Sequence, residues 1–217
     1  ERPMNRRAFM AGTAMLASAS LLPSGALGVD RGQRRFRVLR DGKDIGTHNL
    51  SATLGSQGFE IEIRIDLAVK FLGLTAYVYN LINREVWRDG RIVSVNSRVN
   101  DDGAEEFCQV TNDGDLLQVR GSRFTGTLPL DAVTTSYFHT DFLDRRPWIS
   151  TQSGAALAVD VAASGGGRYA VTGELETTLL YDDRGEWMGS IFDAGGETAT
   201  YELTSETGVI APLWSAA

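Results

Sequence analysis

Cysteine is almost missing from this sequence. Cys108 is the only one in 217 residues, which excludes an intrachain disulfide and any metal site built on clustered thiolates. Histidine is nearly as scarce, with only His48 and His139, too few for a zinc site resting mainly on imidazole. Five prolines and 24 glycines supply turns without any Pro-rich or collagen-like regime. Positive charge is also short: 21 Lys and Arg stand against 28 Asp and Glu, for a net charge of −7. An acidic chain with no basic patch repels phosphate backbones, so nucleic acid is excluded as a partner. What is present is ordinary for a packed protein. Hydrophobic residues at 42% and charged residues at 23% exclude wholesale disorder.

The first 28 residues read as a targeting segment. The pair Arg6 and Arg7 precedes Ala8-Phe9-Met10 and a small, apolar run from Ala11 to Leu22, broken by Pro23-Ser24-Gly25. This resembles the twin-arginine export signals of bacteria, with Ala26-Leu27-Gly28 as the cleavage region. An ordinary secretory signal whose basic region holds two arginines is the competing reading. The run falls short of the ~20 residues that span a bilayer, so no stable transmembrane segment is expected after cleavage. The expected compartment is the periplasm of a Gram-negative bacterium. Residues 29–217 are then expected to form a single β-rich domain, with its core at about 34–203.

Beyond that segment the period is two. Phe59, Ile61, Ile63 and Ile65 alternate with Glu60, Glu62, Arg64 and Asp66, the signature of a half-buried strand. Similar runs occur at 92–99, 107–110, 116–119, 157–161, 169–179 and 198–203. Between runs stand Asp41-Gly42, Asp89-Gly90, Asp102-Gly103 and Asp113-Gly114, residue pairs that tolerate the positive φ of primed hairpin turns. The fold class is therefore all-β, an antiparallel meander of roughly ten strands with one short helical turn between Asp131 and Leu143. The run Leu67–Arg88 reads as one bent strand or two, with Gly73 as a bulge or kink. The tail from Gly208 either packs back or dangles.

Three segments carry a family resemblance: Val38-Leu39-Arg40-Asp41-Gly42-Lys43-Asp44-Ile45-Gly46, Glu85-Val86-Trp87-Arg88-Asp89-Gly90-Arg91-Ile92-Val93, and Ser136-Tyr137-Phe138 followed by Gln152-Ser153-Gly154. Together they resemble the DUF6134 family of exported bacterial proteins, which is similar to the periplasmic DUF3108 proteins. The resemblance implies a curved antiparallel sheet or half-open barrel, similar to lipoprotein carriers of the LolA and LolB type. It implies no activity. The chain departs from those carriers in lacking obvious plugging helices.

The candidate site follows from the most apolar stretch, Leu67 to Tyr79, where alternation fails near Phe71 and Leu74. A fully buried strand explains this, and so does an apolar surface that meets a ligand, a partner or a membrane. On a straight strand Tyr77, Tyr79 and Trp87 share a face with Phe71 and Gly73, forming an aromatic wall for an acyl chain or flat apolar ligand. Phe71, Leu74, Tyr77, Tyr79, Trp87, Tyr137 and Phe138 are the candidate ligand-binding residues. Ser136, His139 and Asp141 crowd together but lie too close in sequence for a triad and lack a nucleophile-elbow motif; with Thr134 or Thr135 as its cap, this segment reads as a plug for one barrel end. His48 reads as a surface strand residue, and Cys108 as a buried, inert thiol. The acidic pairs at hairpin tips lack calcium-loop spacing. The expectation is a non-enzymatic binder of a lipid or other hydrophobic small molecule, without metal or cofactor. An envelope interaction or assembly factor is the alternative, and a hydrolase a distant third.

Overall fold

Alternating runs punctuated by Asp-Gly pairs fold into sixteen strands in the computed structural model, which describes residues 30–56, 58–71 and 74–215. The export segment with Arg6 and Arg7, the residues Leu72 and Gly73, and the Phe71 side chain lie outside the described residues. One meander comprises β1 (Asp30–Arg40), β2 (Lys43–Gly55), β3 (Gly58–Phe71), β4 (Leu74–Arg88), β5 (Arg91–Asp101), β6 (Ala104–Asn112), β7 (Leu117–Gly121) and β8 (Thr125–Leu128). A segment over 129–158 follows, carrying β9 (Val133–Thr134), a 3-10 turn (Thr140–Asp144), β10 (Trp148–Ile149) and β11 (Ala156–Leu157). A second meander holds β12 (Val159–Gly165), β13 (Arg168–Gly173), β14 (Thr177–Tyr181), β15 (Trp187–Asp193) and β16 (Thr198–Thr207), and α1 (Ala211–Ser215) ends the described chain. Pairing of β1 with β16 joins the meanders into one 13-stranded antiparallel sheet with β12 and β8 at its edges.

Three of the four expected primed turns form; Asp113 lacks the positive φ, and its carboxylate instead accepts the N–H groups of Asp115 (3.1 Å) and Leu116 (2.9 Å). Asp41, Asp89 and Asp102 have φ of 47°, 50° and 51°, and the following glycines are also positive. Inward parity is equally regular: Phe59, Ile61 and Ile63 are buried on β3, while Leu81, Asn83, Glu85 and Trp87 are buried on β4. The sheet curls because a single buried cluster draws on β1–β7, on β12–β15, on the 129–158 segment and on α1. An open sheet this wide must twist and fold over to cover its apolar face. The edges stay unpaired with each other, so the curl is not a closed barrel.

The 129–158 segment covers the concave side. It is tied down by the Arg123 N–H to the Ser153 carbonyl (3.0 Å), by Arg146 Nε to the Val159 carbonyl (2.8 Å), and by the Tyr181 hydroxyl to the Tyr137 carbonyl (2.8 Å).

Several expectations need correction. Of the two readings of Leu67–Arg88, the two-strand one holds and the single bent strand does not: β3 ends at Phe71, β4 begins at Leu74 and the two pair antiparallel, so Leu67 and Val69 stand opposite Tyr79 and Tyr77. Residues 169–179 likewise form a hairpin, β13 and β14. The helical turn is capped by His139, whose Nδ1 accepts the Asp141 N–H at 3.1 Å, rather than by Thr134 or Thr135. The tail packs back. Glu186 accepts the backbone N–H groups of Ile210 (2.6 Å) and Ala211 (2.8 Å), and α1 brings Trp214 against Phe59, Trp87, Phe138 and Phe142. This aromatic plug seals one end of the curl.

Candidate ligand cavity

Strand β4 runs from one end of the curl to the other, and its inward residues differ along the way. Tyr77 and Tyr79 lie at the end that is not plugged. With Ile65, Leu67 and Val69 of β3 and Leu81 of β4 they form one wall of a cavity of about 700 Å³, within the usual range for small-molecule sites. The opposite wall is Trp187, Ser190 and Phe192 of β15 with Tyr201 of β16, and the roof is Thr135, Tyr137 and Thr151–Gln152 of the crossing segment. Exposure gives the depth: His48, Trp187, Ser190, Leu81 and Thr151 are buried, while Glu176, Asp193 and Gly195 stand exposed at the rim.

Two bulges aim these side chains. On β15 the register slips between Leu180 and Tyr181, with Gly189 at φ 136°, so Trp187 and Ser190 face the same way despite opposite parity. A β-carbon on Gly189 would meet the Tyr201 backbone oxygen at 3.1 Å, so only glycine lets β15 approach β16 this closely. On β2 the slip between Val38 and Leu39 turns Ile45 inward beside His48.

The roof is hydrogen-bonded to the wall. The Tyr77 hydroxyl donates to Asp101 (2.7 Å), Gln152 donates to the same carboxylate (3.2 Å), and the Tyr79 hydroxyl donates to the Gln152 carbonyl oxygen (3.3 Å). Burial first, then the nearby negative groups, raises both phenols, so they serve as neutral donors. Tyr137 sits at φ 53°, a strained backbone for an aromatic residue. It is held by the Tyr181 hydrogen bond and by rings 5.7 Å (Trp148) and 6.4 Å (Trp187) away.

The structure separates the candidate residues of the sequence. Tyr77, Tyr79 and Tyr137 line the cavity. Trp87 and Phe138 face inward, but in the sealed end: their rings lie 5.9 Å apart and each is 5.2 Å from Trp214. Leu74 projects outward and is 74% exposed. Ser136 is engaged apart from the His139–Asp141 pair: Ser136 donates to Glu85 (3.3 Å), while His139 Nδ1 lies 3.3 Å from the Asp141 carboxylate, which also accepts the Trp214 indole N–H (2.8 Å). Glu85, fully buried, also accepts from Asn83 (2.7 Å), Trp87 (2.8 Å) and Thr134 (3.1 Å). Burial raises its pKa, and these hydrogen bonds oppose the rise.

His48 is the residue misjudged by type. Burial pushes its pKa down to about 3, and it sits among Phe36, Trp187 and Tyr201 rings at 6.0, 5.1 and 5.4 Å. Its parity with Leu50 and Ala52, both buried, was the available signal. Trp187 and Ser190 gave none, because the bulge hides their common face. Cys108 is buried as expected, with its thiol pushed up to about 12 by burial and the neighbouring Glu85.

A crystal structure of a beta-barrel-like protein of the domain of unknown function DUF1849, from Brucella abortus, is similar with a TM-score of 0.54 at 10% identity, covering 84% of this chain and 99% of that one. At that identity the likeness is one of fold. No curated protein matches the sequence. The sequence family DUF6134, a domain of unknown function, matches residues 36–204, the two joined meanders and the segment roofing the cavity, and the chain belongs to that family.

Proposed function

We propose that the protein is a non-enzymatic binder or carrier of a lipid or other hydrophobic small molecule, held in the cavity under the 129–158 segment, and that it works in the periplasm. One observation carries the reading: a cavity of about 700 Å³ walled by Tyr77, Tyr79, Tyr137, Trp187, Phe192 and Tyr201. Aromatic walls with a few polar groups suit an apolar ligand whose orientation matters. The curved sheet with a covered concavity also supports the similarity to LolA- and LolB-type carriers and DUF3108 proteins expected from the sequence. The Arg6-Arg7 segment supports export, and retention of an Arg6→Lys, Arg7→Lys precursor in the cytoplasm is the expected result.

Titration of the purified protein with the apolar fluorescent probe N-phenylnaphthylamine, alongside native mass spectrometry for co-purifying lipid, tests the binding. Saturable probe binding at one site is expected. A folded protein that binds no apolar probe and carries no lipid would end the reading. The alternative, an envelope interaction factor, has less behind it. Exposed Leu74 and Ile82 stand eight residues apart on β4, Leu116 precedes β7, and Val209 follows β16.

A further inference from the structure

Three polar side chains in the cavity floor have no hydrogen-bond partner among the described residues. His48 leaves both ring nitrogens unpaired, Trp187 its indole N–H, and Ser190 its hydroxyl. They are 5%, 2% and 4% exposed and line the same cavity. Such groups lose their bonds to water on burial and normally recover them within the fold. Most of the other buried polar groups do so: Glu85 accepts four hydrogen bonds, and Glu186 pairs with Arg34 at 2.9 Å while accepting two backbone N–H groups. The floor groups are neighbours. The His48 and Trp187 rings are 5.1 Å apart, and Ser190 follows Trp187 on the bulged strand.

The chemistry of the missing partner can be read from the set. Trp187 only donates, Ser190 donates or accepts, and a neutral imidazole offers one donor and one acceptor. A hydroxyl or carbonyl oxygen complements these groups. A carboxylate does not, because it would enter an aromatic enclosure without a counter-ion, at a large desolvation cost. Among the described lining residues the one cationic side chain is Arg40, at the rim, already bonded to Glu197 (3.1 Å) and the Ala194 carbonyl (2.8 Å). The acidic Glu176 and Asp193 share that rim.

Resting on the reading of this cavity as a hydrophobic-ligand site, we propose that its ligand is an uncharged amphiphile. Its hydroxyl or carbonyl group docks between His48, Trp187 and Ser190, and its hydrocarbon body lies against Tyr79, Leu81 and Tyr137.

Displacement of bound N-phenylnaphthylamine by dodecanol, dodecanoate and dodecane at neutral pH tests this on the purified chain. Dodecanol should compete roughly tenfold better than dodecane, the worth of about one or two buried hydrogen bonds, and better than dodecanoate. In Ser190→Ala and His48→Phe that advantage, measured as the ratio of dodecanol to dodecane competition within each variant, should shrink severalfold. Ser190→Ala removes a single oxygen and keeps the test valid should His48→Phe fold poorly. Equal competition by all three compounds, stronger binding of dodecanoate, or an advantage untouched by both variants would overturn the anchor, leaving the floor groups to ordered water and the cavity reading intact. Absence of probe binding would remove the cavity reading itself and this inference with it.

Discussion

At the sealed end of the curl, Trp87, Phe138, Phe142 and Trp214 pack edge to face, and the indole N–H groups of Trp87 and Trp214 reach Glu85 and Asp141. At the cavity end Trp187, Tyr201 and His48 are equally aromatic and nearly as buried, yet enclose space and leave polar atoms unpaired. The ends share a sheet, a strand and a residue vocabulary. They differ in what fills the middle: α1 and the 3-10 turn at one end, and none of the described residues at the other. A sealed end earns stability from close packing, whereas an unfilled cavity with orphan donors forgoes part of it and keeps room for something else.

The sharpest way to break this contrast is to truncate one aromatic at each end. Trp87→Ala should cost about 3–5 kcal/mol in denaturant melts, as large buried aromatics do. Tyr79→Ala, half-buried beside existing space, should cost about 1–2 kcal/mol while reducing probe affinity well beyond any unfolding. Equal losses at both ends would mean that the cavity is ordinary core. Gly90→Val comes next. Gly90 has φ 67° in the turn beneath Trp214, and its carbonyl accepts from Arg145 at 2.7 Å; the substitution should cost about 1 kcal/mol or more. An unchanged melting temperature would show that the sealed end does not depend on this turn.

The smallest effect at neutral pH is the most diagnostic. His48→Phe should be nearly neutral at pH 7, because it removes unpaired polar atoms without breaking a bond. Its effect grows in acid. His48 is held near 3 in the folded state against an ordinary 6.5, so below about 6.5 the unfolded chain takes up a proton that the folded chain refuses. Stability then falls as pH drops toward 3, by at most about 1.4 kcal/mol per unit. Glu85, with its raised pKa, acts in the opposite sense, its contribution being lost as pH rises through its folded value. The difference between wild type and variant at each pH isolates His48. Parallel pH curves would show that the floor is wetter than its burial implies.

Much of this was legible in the sequence, for local reasons. Asp41-Gly42, Asp89-Gly90 and Asp102-Gly103 announce their turns because few other pairs accept two positive φ values. The inward parity of Tyr77, Tyr79 and Trp87 holds as read. Their separation was the part left unread, since eight strand residues span roughly 26 Å and carry one face from cavity to plug. The antiparallel pairing of β3 with β4 was obscured by the apolar residues that end the one strand and begin the other. On β15 the bulge at Gly189 breaks the alternation by which strands are recognised. The plug depends on Trp214 and Phe59, which lie 5.7 Å apart in space but far apart in sequence, a distance that no local pattern records.

The β1–β16 seam has a consequence for how the chain is made. Arg37 and Glu202 face each other across it, 165 positions apart in sequence. On a ribosome the first meander emerges well before its partner, and β1 waits with one flank unpaired, a template for pairing with the wrong chain. Contacts this distant also slow folding. Completion of the sheet, together with the docking of Trp214, is therefore among the last events of biosynthesis. Nascent chains halted before Thr198 should aggregate or engage chaperones, while those released beyond Ser215 fold.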